Sequence, residues 1–135
     1  MDSNALTAIS PLDGRYAGRL EPLRDLMSEA AFMRQRVKVE IAWLVALADL
    51  GLPELAAFSP AARNHLQAIV DKFGLEQAAR IKDIERVTNH DVKAVEYFLK
   101  ESVKDVPELV GASEFIHFAC TSEDINNTSH GLILL

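Results

Sequence analysis

The chain has 135 residues, 49% of them apolar, a formal net charge of −6 and a single cysteine, Cys120. That length fits one domain able to bury a core, and one thiol excludes an internal disulfide and points to a reducing compartment. The acidic balance argues against nucleic acid and against a polybasic membrane contact, but it leaves open a small anionic ligand.

Met1-Asp2-Ser3-Asn4 carries neither a basic nor an apolar leader segment, so no secretory signal is expected. The longest apolar run, Ile41 to Ala48, falls far short of the roughly 20 residues that span a bilayer. A soluble, cytoplasmic protein is expected.

The first 27 residues read as irregular, with a turn cluster at Ser10-Pro11-Leu12-Asp13-Gly14-Arg15. A long helix follows, capped by Ser28 with Glu29 in its first turn. Met33, Val37, Ile41, Leu44 and Ala48 recur at helical spacing. The second half of this helix is apolar nearly all round, which predicts burial on several sides. Gly51 stops it and Pro53 cannot continue it. Ser59-Pro60 starts the next helix, striped by Leu66, Ile69, Val70 and Phe73 and ended by Gly74. A more polar stretch covers Leu75 to Arg86. Another helix begins at Asn89 to Asp91, with Val92, Val95, Phe98, Leu99 and Val103 on one face, and Pro107 closes that region. A short helix is expected from Ala112 to Ala119. Thr121-Ser122-Glu123-Asp124 reads as a last helix start, running on through Ile133-Leu134-Leu135 with no stop signal. Such an apolar, uncapped end suggests a piece of something longer. No run alternates at period two, and the fold class is all-α.

Three stretches hold polar residues in unusual company. Asp13-Gly14-Arg15-Tyr16 joins a permissive backbone to a cationic fork and a hydroxyl, which suits phosphate or carboxylate; a plain surface turn fits the same residues. Thr88-Asn89-His90-Asp91, followed by Lys93, sits at a helix N-terminus, where free N–H groups and the helix dipole favour an anion. Either Asn89 or Asp91 is expected to cap that helix, and His90 could act as donor, acid or base. His117-Phe118-Ala119-Cys120-Thr121-Ser122 leads into a second such terminus, with a simple cap and a packed histidine as the alternative. Cys120 reads as a small buried hydrophobe. His65 and His130 read as surface or packing residues. No metal-ligand spacing is present: His117 and Cys120 lie three apart without a second pair. Three separated anion-suited sites together fit a polyanionic small substrate.

Ser10-Pro11-Leu12-Asp13-Gly14-Arg15-Tyr16 resembles the opening motif of the adenylosuccinate lyases. Thr88 through Leu99 resembles that family's second segment. Phe115 through Asn127 resembles the Thr-Ser segment of the aspartase/fumarase superfamily in its adenylosuccinate lyase form. The three occur in the family's order, and the resemblance covers the whole chain.

The resemblance implies the N-terminal helical domain of a fumarase/aspartase-like lyase over residues 1–111, then the start of the central helical bundle over 112–135. It implies a C–N lyase (EC 4.3.2.2) that eliminates fumarate from adenylosuccinate to give AMP and from SAICAR to give AICAR, in purine biosynthesis, without a cofactor or metal. Arg15 and Tyr16 would hold the nucleotide phosphate. Asn89, His90 and Asp91 would contact the substrate, and Thr121 and Ser122 would bind a succinyl carboxylate. His117 and Lys93 would be auxiliary. The family's general acid, a histidine, and its general base, a serine on a mobile loop, match nothing here and are expected beyond Leu135. The family is a homotetramer, and this chain alone is expected to be inactive. The Thr-Ser segment by itself would also fit argininosuccinate lyase or fumarase, and a non-catalytic helical assembly module is a further alternative.

Overall fold

The computed structural model describes residues 3–135. Its helices are α1 (Ser3–Leu6), α2 (Glu21–Met27), α3 (Glu29–Asp49), α4 (Pro60–Asp71), α5 (Leu75–Thr88), α6 (Asp91–Val103), α7 (Pro107–Ala112) and α8 (Ser122–Ile133), with single 3₁₀ turns at Ala17–Arg19 and Ser113–Phe115. The described residues contain no strand, as the sequence pattern predicts.

The start signals act as expected. The Ser28 hydroxyl accepts from the Ala31 N–H at 3.2 Å, and Ser59 does the same for Ala62. Ser59 also grips α7: its N–H and its hydroxyl donate to the two Glu108 oxygens at 2.7 and 2.6 Å. Helix α3 is the spine, touching α2, α4, α5, α6 and α8. Helices α5 and α6, joined by Asn89 and His90, form a tight hairpin against it. The core gathers where Val37, Leu66, Ile81, Val95, Leu99 and Leu109 meet, all buried. Each such side chain contributes about 1.5–3 kcal/mol of transfer free energy.

Four expectations are corrected. The first 27 residues are not wholly irregular: α2 forms because Glu21 and Pro22 sit well in a first helical turn. The helix expected over Ala112–Ala119 lies earlier, in α7, since Pro107 starts a helix there rather than closing one. Helix α8 stops at Ile133, with Leu134 as its cap. The second half of α3 is not buried all round either. Ala42, Trp43 and Ala46 are exposed, lining an open groove of about 560 Å³ between α3 and α8.

Candidate active site

Helix α5 ends on Asn89 in the left-handed conformation (φ 52°), which asparagine tolerates better than most residues. The Asn89 N–H closes α5 by donating to the Glu85 carbonyl at 2.7 Å. Capping of α6 therefore falls to neither Asn89 nor Asp91 but to His90, whose Nδ1 accepts from the Lys93 N–H at 3.0 Å. Asn89 is spent on α5, and Asp91 already has helical geometry. With Nδ1 accepting, the neutral ring carries its proton on Nε2. The His90 side chain is half exposed, so it can offer an N–H to a ligand at this helix end.

Asp91 faces inward. Its Oδ2 accepts from Arg36 Nη2 at 2.6 Å, and its Oδ1 accepts from the Val92 N–H at 2.8 Å. Burial works to raise this carboxyl, but the Val92 N–H and the Arg36 guanidinium outweigh it and hold it below the usual carboxylate range.

Arg36 is the joint of the site, and it is only 7% exposed. Its Nε donates to Asn126 Oδ1 at 2.9 Å, so one guanidinium ties the start of α6 to the second turn of α8. The guanidinium also lies 4.3 Å over the Phe32 ring, and Phe32 stacks on His130 at 4.5 Å. His130 is thus a packing residue, as read from the sequence. So is His65, whose Nε2 lies 2.9 Å from the Ser102 carbonyl.

The segment leading to α8 holds two non-glycine residues in the left-handed region, His117 (φ 63°) and Ala119 (φ 59°). Each costs about 1–2 kcal/mol, so the surroundings must impose the conformation. Side chains of α3 do this: His117 Nδ1 lies 2.6 Å from Glu40 Oε1, and Trp43 Nε1 donates to the Phe118 carbonyl at 2.7 Å. Beyond them, the Thr121 N–H and hydroxyl donate to Asp124 Oδ2 at 2.7 and 3.0 Å, which holds the Asp124 carboxyl low. Ser122 opens α8 and is half buried. Cys120 is half buried rather than buried, and its thiol is pushed up by the partial loss of solvent.

Arg15 and Tyr16 contact each other. The guanidinium stacks on the ring at 4.5 Å and donates to its hydroxyl. Gly14 is required there by close packing. A Cβ on it would meet the Ala5 carbonyl at 2.8 Å and the Ala8 methyl at 2.9 Å, so the chain's own first turn packs on it. Lys93 is turned along its own helix, bonded to Glu96 at 2.8 Å.

The fold therefore joins two of the three motif segments through Arg36, while Arg15 and Tyr16 make their contacts in their own loop. Arg36 thus links the start of α6, where His90 can offer an imidazole N–H, to the helix that Ser122 opens, and each helix start is of a kind that favours carboxylate or phosphate groups. Sequence reasoning did not single out Arg36, Glu40 or Asn126. The signal was available: Arg36 and Glu40 are charges set four apart inside the stripe Met33, Val37, Ile41, and a charge there must be paired.

Comparison with known proteins identifies the family. A family described as lyase matches residues 14–135. Adenylosuccinate lyases from Escherichia coli (strain K12) and Haemophilus influenzae are each 57% identical over 135 residues, covering 99% of this chain and 30% of each relative. The adenylosuccinate lyase of Legionella pneumophila (strain Corby) is 44% identical over the same shares. The chain thus spans about a third of the length of the curated relatives it matches.

Proposed function

Because the chain belongs to the lyase family, we propose that it is the N-terminal part of an adenylosuccinate lyase, acting in the cytoplasm as a homotetramer. The whole enzyme eliminates fumarate from adenylosuccinate to give AMP and from SAICAR to give AICAR. Residues 1–111 form its N-terminal helical domain, and residues 112–135 begin its central bundle.

In this reading a base removes a proton from the succinyl carbon, charge spreads onto the adjacent carboxylate, and an acid protonates the departing nitrogen. Thr121 and Ser122, with the free N–H groups of α8, hold that carboxylate where negative charge develops. His90 donates through Nε2 to the succinyl arm, and Asn89 and Asp91 fix its surroundings. Arg15 and Tyr16 take the nucleotide phosphate, with His117 and Lys93 in auxiliary places. The acid and the base come from the part of the enzyme this chain does not span, so the chain alone is inactive.

The observation that carries the reading is the Arg36 bridge, which holds the start of α6 beside the second turn of α8. The test uses the full-length enzyme and follows adenylosuccinate cleavage by absorbance. Thr121→Ala and His90→Ala are each expected to lower kcat/KM by about a hundredfold, the scale of losing one charge-stabilising donor. Unchanged turnover in both would overturn the assignment, as would cleavage by the isolated chain for its inactivity. Argininosuccinate and malate, offered in parallel, are expected to give no turnover.

A further inference from the structure

Glu40 is a charge with no evident structural need. It lies in the middle of α3, fully buried, among Val37, Ile41 and Leu44. Its Oε1 lies 2.6 Å from His117 Nδ1, while its Oε2 is buried without a partner. A carboxylate so placed is costly, and an apolar residue of similar volume would stabilise the fold as well or better. Its partner is held in a left-handed conformation, uncommon for any residue but glycine. Trp43, one turn along α3, fixes the Phe118 carbonyl next to it. Two strained backbone positions and one buried acid thus serve a single outcome, the fixed aim of the His117 ring. That ring keeps a fifth of its surface open, with Nδ1 taken and Nε2 left for a ligand.

We propose that Glu40 is a positioning residue of the lyase site. Its carboxylate accepts the His117 Nδ1–H, fixing the ring's tautomer and orientation so that Nε2 is presented to substrate beside the start of α8. This rests on the lyase reading above and adds to it a residue outside all three motif segments. The charged and titratable groups near the pair are few. Glu96 of α6 acts on Glu40 and is itself paired with Lys93 and Lys100. Cys120 and Asp124 lie on the α8 side. None of them replaces His117 as the hydrogen-bond partner of Glu40.

The test uses the full-length enzyme with adenylosuccinate. Glu40→Gln keeps an acceptor for Nδ1–H and removes the charge. It is expected to lower kcat at least about tenfold while KM stays within about threefold, as for other groups that orient a functional histidine. His117→Asn keeps a donor facing Glu40, and asparagine tolerates the left-handed backbone, but it deletes Nε2. It is expected to melt as the wild type does and to lose kcat at least as severely. In that background Glu40→Gln is expected to cost less than about twofold further, because the two residues act as a unit. A purely structural clamp predicts the opposite: His117→Asn near full activity, which would overturn the inference. So would Glu40→Gln within twofold of wild type. If Glu40→Gln does not fold, Glu40→Asp decides in its place: it keeps the charge but draws the carboxyl back from Nδ1 by one methylene, and kcat within twofold of wild type would overturn the inference. An active wild type with unaffected variants sinks this inference alone, whereas an inactive full-length wild type sinks the lyase reading and this inference with it.

Discussion

Replacing His117 by alanine in this chain strands the Glu40 carboxylate. The oxygen now 2.6 Å from Nδ1 loses its partner, the second oxygen already has none, and the group is 0% exposed. Breaking a buried pair by removing one member costs about 3–5 kcal/mol when the remaining charge stays buried. The carboxyl has an escape, since it can take up a proton. Burial already raises its pKa, and His117 is the chief influence lowering it. The sign follows from linkage. An acid whose folded-state pKa lies above its unfolded value favours the folded state at low pH and loses that advantage as pH rises. At pH 5 the unfolded group sits only half a unit above its own pKa of 4.5, so the charge contribution to the loss is limited to about 0.7 kcal/mol. At pH 8 nothing limits it below about 3 kcal/mol. Urea unfolding followed by circular dichroism is expected to show a variant destabilised by about 3 kcal/mol at pH 8 and clearly less at pH 5. For a chain of this length that corresponds to about 10 °C in Tm at the higher pH. An equal loss at both pH values would refute the claim that a buried, uncompensated carboxylate is the cause.

Ile125 is 1% exposed and anchors the first turns of α8, so Ile125→Ala is expected to cost about 3 kcal/mol in urea unfolding. Two glycines separate space from conformation. Gly14→Ala meets backbone at 2.8 Å and is expected to destabilise by about 1–3 kcal/mol through overpacking. Gly51→Ala has open space but a φ of +78°, and is expected to lose about 1 kcal/mol through conformation alone. Denaturation midpoints with unchanged urea dependence check both. The Cys120 thiol, pushed up by partial burial, is expected to react with iodoacetamide more slowly than a free cysteine at pH 7, with the rate climbing steeply above pH 9.

Much of the fold was legible because its signals are local. Ser28 and Ser59 with Pro60 start their helices through hydrogen bonds to residues three away, whereas Gly74, read as the end of α4, caps the start of α5 instead, α4 having ended at Asp71. The apolar stripe of α3 shows its helical period without any partner. The reading failed where two local signals compete. Pro107 can end one helix or begin another, and the choice went to the start of α7, where Glu108 also finds Ser59. It failed again at His90, because which of three polar residues caps α6 depends on how α5 ends.

Composition, punctuation and motif order by themselves determined an all-α chain with anion-suited helix starts and a lyase resemblance. Tertiary structure alone decided how those starts meet. Arg36 and Asn126 are separated by 90 residues, and Glu40 and His117 by 77. A charge inside an apolar stripe announces that it needs a partner, but the partner's identity is set by which helix packs across from it. That packing is a sum over the whole core, and no single stretch of sequence contains it.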